Sequence, residues 1–133
     1  MTDYFNISMP EGDIKGISSL GLAHLGDGVF ELMVRSWLCI HGKATSKGLH
    51  KAAVSYVAAG AQAEAVRKIL PGLTEEEYAV YKRGRNAHVN SVPNRATLEE
   101  YHMATGLEAL FGFLYLKGET RRLNELFTEM MGE

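Results

Sequence analysis

Leu-Ala-His-Leu-Gly-Asp-Gly-Val-Phe-Glu (Leu22 to Glu31) and Ala-Thr-Gly-Leu-Glu-Ala-Leu-Phe-Gly (Ala104 to Gly112) decide how this chain is read. Each sets one carboxylate, Asp27 or Glu108, in an apolar helical pattern rich in glycine and alanine. A desolvated carboxylate is costly unless paired or bound to a metal, and a glycine inside a helix costs roughly 1 kcal/mol relative to alanine. Helix stability therefore does not account for either segment.

Outward from the first segment, a helical pattern runs from Ser18 or Ser19 to about His41. Leu22, Leu25, Val29, Leu32 and Met33 form one apolar stripe, the expected core face. Phe30, Val34, Trp37 and Leu38 make the helix apolar almost all round, the pattern of a helix covered on several sides, with Asp27 and Glu31 expected among buried neighbours. Helices are expected from about Leu49 to Ala58 and from Ala61 to Leu70, with Gly60 between them and Pro71-Gly72 as a stop. Thr74-Glu75-Glu76-Glu77 and Thr97-Leu98-Glu99-Glu100 are capping-box patterns that start two further helices. The first should run to about Arg85, the second past Glu108 to about Lys117, with Met103, Leu107, Leu110, Phe111 and Leu114 as its core stripe. A last helix, from about Glu119 to Met130, carries Leu123, Leu126, Phe127 and Met130 at helical spacing. With no alternating strand pattern, the expected class is all-α.

At 133 residues the expectation is one domain, residues 16–133, after an irregular N-terminal segment over residues 1–15. No apolar run approaches the roughly 20 residues of a membrane span. Asp3, Glu11 and Asp13 precede the first apolar stretch, unlike a basic signal-peptide start, so a cytoplasmic location is expected. The single cysteine, Cys39, excludes an intrachain disulfide and reads as a small core residue. A net charge of -2 lacks the basic excess that advertises nucleic-acid binding, so any such binding falls to a local patch. Lys82-Arg83-Gly84-Arg85-Asn86-Ala87-His88 is one, with three of the 14 lysines and arginines inside four positions; an ordinary basic helix end gives the same pattern. Lys43, Lys47, His50 and Lys51 form a looser second group.

Leu-Gly-Asp-Gly-Val-Phe-Glu resembles the signature Leu-Gly-Asp-Ala-Val-Leu-Glu of ribonuclease III, and Leu-Glu-Ala-Leu-Phe-Gly-Phe-Leu-Tyr-Leu resembles that family's second carboxylate helix. Both occur in the family's order and spacing, and Lys82 to Ala87 adds a segment typical of the compact Mini-III branch. The resemblance implies an all-α homodimer, a bare catalytic domain without a double-stranded-RNA-binding module. It also implies Mg2+-dependent hydrolysis of double-stranded or structured RNA to a 5′-phosphate and a 3′-hydroxyl. For this branch the implied substrate is the precursor of large-subunit (23S) ribosomal RNA, and whether a ribosomal accessory protein presents it is left open by the sequence. Asp27 and Glu108 then become the catalytic and metal-binding residues, and Lys82, Arg83, Arg85, Asn86 and His88 the RNA-binding ones.

Two positions depart from full-length ribonuclease III: Ala23 and Thr105 stand where that pattern has a further Glu and a further Asp. Mg2+ commonly takes one or two carboxylates and fills its shell with water and phosphate oxygens, so two suffice, with weak binding expected in the free protein. Glu31, one turn from Asp27, has three readings: support for the metal shell, a subunit contact, or a structural ion pair. His24 reads as packing, since Mg2+ disfavours nitrogen ligands. Two other functions fit parts of the sequence. A non-catalytic RNA- or ribosome-binding module would keep the fold, and an α-helical interaction dimer would use the apolar first helix. The first leaves two carboxylates beside a polyanion unexplained, the second the basic run.

Overall fold

The computed structural model describes residues 1–42, 45–87 and 97–133. Among these there is no strand. The helices are α1 (Glu11–Ile14), α2 (Ser19–Ile40), α3 (Ser46–Val57), α4 (Ala59–Ile69), α5 (Glu75–Arg85), α6 (Leu98–Lys117) and α7 (Thr120–Met130), with a 3-10 turn at Leu70–Gly72.

The starts follow local chemistry. Thr74 accepts from the Glu77 amide at 3.1 Å while the Glu77 carboxylate accepts from the Thr74 amide at 2.9 Å. Thr97 and Glu100 repeat this reciprocal pair at 3.1 Å each way. Each box satisfies two amides that a helix start would otherwise leave bare. Ser18 and Thr45 cap α2 and α3 through the amides of Gly21 and Gly48. That Thr45 cap starts α3 three residues before the expected Leu49. The break between α3 and α4 falls at Ala58, whose backbone is extended, and Gly60 lies inside α4. A Cβ on Gly60 would come within 3.1 Å of the Glu100 carboxylate, the far end of a flexible side chain.

Helix α6 is the axis of the molecule. Met103 to Leu107 and Ala109 to Leu114 are all buried, leaving Glu108 as the one partly open side chain of that stretch. α2, α4 and α5 pack against it, and α7 closes the far end with Leu123, Leu126, Phe127 and Met130. Phe30 of α2 meets Phe111 and Phe127 edge-to-face at 5.7 and 6.3 Å between ring centroids.

Two expectations for α2 need correction. Its core face is Leu22, Ala23, Gly26, Phe30, Val34 and Leu38, not the stripe through Leu32 and Met33; Leu32 is 53% exposed. Hydropathy weights bulky side chains, whereas the helix turns its small residues toward α6. Asp27 is itself exposed, although its helix neighbours Ala23, Gly26 and Phe30 are buried. Cys39 is exposed too and is no part of the core.

An ion pair fixes the start of α5 against α7. Glu77 is buried and receives Arg122 Nε on Oε2 at 2.8 Å and Arg122 Nη2 on Oε1 at 2.9 Å, while Nη2 also donates to the Gly72 carbonyl at 2.9 Å. Burial disfavours charge on Glu77, but the Arg122 guanidinium and the Thr74 hydrogen bonds outweigh it and hold the carboxyl below its ordinary value.

Candidate active site

The site is built where α2 crosses α6. A Cβ on Gly26 would lie 1.6 Å from the carbonyl oxygen of Glu108, and a Cβ on Gly112 would lie 2.1 Å from the carbonyl oxygen of Leu22. The two helices thus touch backbone to backbone through paired glycines, closer than any side chain permits. Asp27 follows Gly26 directly, and Glu108 itself supplies the backbone that Gly26 touches. The contact therefore sets the two carboxylates beside each other.

The carboxyls are in hydrogen-bonding contact, but their surroundings differ. Asp27 is exposed. Glu108 is largely enclosed; burial first, then the hydrogen bond and charge of Asp27, push its pKa up to about 8, while the amide of Gln62 pulls the other way. Two carboxyls in contact cannot both ionise cheaply, so the pair retains a proton near neutral pH. Among the described residues no three His, Cys, Asp or Glu side chains converge as a ligand set, and the carboxylates at this crossing are Asp27 and Glu108. Two oxygen donors, one open to solvent, fit a hard cation that completes its shell with water and phosphate oxygens.

The two departures noted in the sequence are filled compactly. Ala23 is buried, and the buried Thr105 hydroxyl donates to the Tyr101 carbonyl at 3.0 Å, leaving it no free proton for the site. Glu31 forms an i,i+4 ion pair with Arg35 at 2.5 Å. His24 is exposed.

The basic run divides at the end of α5. Lys82 and Arg83 are exposed, with Arg83 beside Lys15 and Phe113. Arg85 is half-buried, its guanidinium 5.7 Å from the Tyr81 ring centroid and its Nε donating to Asn86 Oδ1 at 3.3 Å. Asn86 is the exposed cap residue of α5. His88 and Lys43 lie outside the described residues.

Gln62 was not singled out from the sequence. It is 2% exposed, on α4, and near enough to Glu108 for its amide to favour the charged carboxylate. Its signal was a glutamine in register with Val66 and Ile69, polar in a position where an apolar stripe belongs.

Comparison with known proteins now defines the class. The family model described as Ribonuclease III domain matches residues 20–119, which span both carboxylates. This is an endoribonuclease class whose members are metal-dependent and act on RNA. Relatives named Mini-ribonuclease 3 come from Clostridium tetani, at 41% identity over 86% of this chain and 76% of theirs, and Enterococcus faecalis, at 41% over 86% and 88%. A crystal structure of a Fusobacterium nucleatum protein superposes with a TM-score of 0.80 at 31% identity, covering 87% of this chain and 94% of that one. The chain belongs to the ribonuclease III family, in its Mini-ribonuclease 3 branch.

Proposed function

We propose that this endoribonuclease cuts double-stranded or structured RNA with Mg2+, that Asp27 and Glu108 hold the ion, and that its substrate is the precursor of 23S ribosomal RNA. The observation that carries the site is the contact of the two carboxyls across the glycine-paired crossing of α2 and α6.

Each residue has a separate task. Asp27, exposed, offers its oxygens from the solvent side, where a phosphate group arrives. Glu108, enclosed, binds only after giving up its proton, which leaves through the Asp27 side to water. The glycine contact holds the carboxyls at fixed separation, so little ordering remains to be done when RNA docks. Bound there, Mg2+ supplies a water of lowered pKa and neutralises charge on the attacked phosphate. Without a cation the two carboxylates would repel the phosphodiester.

Lys82, Arg83, Arg85, Asn86 and His88 are proposed to pair with RNA phosphates, a mode that reads duplex shape more than sequence. We also propose a homodimer formed through the outward apolar residues of α2, with Leu32 and Ile40 exposed by 53% and 80%. Two copies would present two sites to two strands. No helix among the described residues is long and apolar enough to cross a membrane, and a cytoplasmic location fits the proposed substrate.

The substrate assignment is tested with a transcript containing the stem that joins the two ends of the 23S precursor. Discrete cuts in both strands, bearing 5′-phosphates, are expected. An intact stem beside efficient cleavage of an unrelated duplex would remove the ribosomal assignment and leave the nuclease.

A further inference from the structure

Gln62 Nε2 is, among the described residues, the only buried side-chain nitrogen or oxygen without a hydrogen-bond partner. The side chain is 2% exposed, on the core stripe of α4 with Val66 and Ile69, each 1% exposed. Leaving a buried amide unpaired costs about 1–3 kcal/mol, a penalty that a methionine or leucine of similar volume would avoid. Fold stability therefore argues against glutamine here, and buried unpaired groups call for a specific explanation.

The amide lies close enough to the Glu108 carboxyl to favour its charged form, yet it makes no hydrogen bond in this structure. Three helices thus converge on that one group: α6 carries it, α2 brings Asp27 to one side, and α4 brings Gln62 to the other. An ionised carboxylate accepts at about four lone-pair positions and donates at none. A cation shared with Asp27 uses those that face α2, and water has little access to those that face the core. The Gln62 Nε2–H is the donor built to meet them.

We infer that Gln62 is a positioning residue for the cleavage reaction, donating from the core to the Glu108 carboxylate when that carboxylate holds the metal ion and so fixing which of its oxygens faces Asp27. This rests on Glu108 being a ligand. Outer-shell donors to ligating carboxylates typically change metal affinity by 10–100-fold when removed.

The test compares wild type, Gln62→Met and Glu108→Gln. Three quantities are read: the Mg2+ concentration for half-maximal cleavage, Mn2+ binding to the RNA-free protein from the free-ion EPR signal, and the melting temperature. Gln62→Met is expected to raise the Mg2+ requirement about 10-fold and weaken Mn2+ binding in parallel. The RNA KM and melting temperature should stay at or above the wild-type values. An unchanged metal requirement, or a lowered melting temperature with metal dependence intact, overturns the inference. Glu108→Gln separates the two readings, because retained cleavage there refutes the ligand role itself. A wild-type measurement covers a failure of Gln62→Met to fold: the Gln62 side-chain amide protons should shift downfield as Mg2+ saturates, and unmoved resonances at saturation overturn the proposal.

Discussion

Glu108 is where this molecule sets fold stability against chemistry. Its pKa is pushed up to about 8 from an ordinary 4.5, by burial and then by Asp27. Below pH 4.5 the folded and unfolded chains both carry its proton; between 4.5 and 8 only the folded chain does. The metal-free protein should therefore hold this contribution fully below pH 4.5 and lose it, a few kcal/mol in all, as pH rises through 8. Denaturant titration at pH 5, 7 and 9 measures the decline. Glu108→Gln should flatten it, making the variant more stable than wild type at pH 9. Metal binding near pH 7 should release about one proton, seen as buffer-dependent heat in calorimetry. Asp27 and Glu108 stand out in the sequence because glycine and carboxylate are unusual in apolar helices. The sequence did not show Asp27 to be exposed, since exposure depends on which face of α2 meets α6. It passed over Gln62, whose inferred acceptor, Glu108, is 46 residues away on another helix.

At the level of elements, the close crossing of α2 and α6 is what places the site. Gly26→Ala puts a Cβ where the Glu108 carbonyl oxygen lies, so the helices must separate. Overpacking of this kind costs about 1–3 kcal/mol, and separation also parts the carboxyls. The variant should melt lower and cleave far more slowly than its folded fraction explains, which thermal melts run beside cleavage assays at low temperature will show. The Arg122–Glu77 pair makes the opposite prediction, for stability without chemistry. Arg122→Met leaves a buried carboxylate unpaired and should cost about 2–4 kcal/mol at pH 7. Glu77 is held below its ordinary pKa in the fold, so the pair stabilises above that value and fades as pH falls through the lowered one. Denaturant titrations should show the penalty shrinking in acid. Helix existence was plain from capping boxes and spacing. The core face of α2 was not, because a face of Ala23 and Gly26 is silent in hydropathy yet ideal for close packing.

Across the whole molecule, a net charge of -2 means that RNA affinity must come from local groups. Lys82→Ala with Arg83→Ala should weaken duplex binding, by more at low salt than at high, and lower the salt slope by about one unit or more. Filter binding across a salt series reads this, and an unchanged slope would assign the α5 end to a solvated surface. Leu32→Glu places a charge on the outward face of α2 and should convert a dimer to a monomer in sedimentation, with the single-chain fold retained by circular dichroism. Dimerisation entered the sequence reading through family resemblance and through the apolar first helix, and one chain supplies that face without its partner.

The most direct test is cleavage of an end-labelled RNA duplex with and without Mg2+, for wild type, Asp27→Asn and Glu108→Gln, each confirmed folded. Metal-dependent cuts in both strands, lost in both variants while RNA binding persists, are the predicted result. Cleavage that survives either substitution would contradict the assignment of the carboxylate pair as the catalytic metal site.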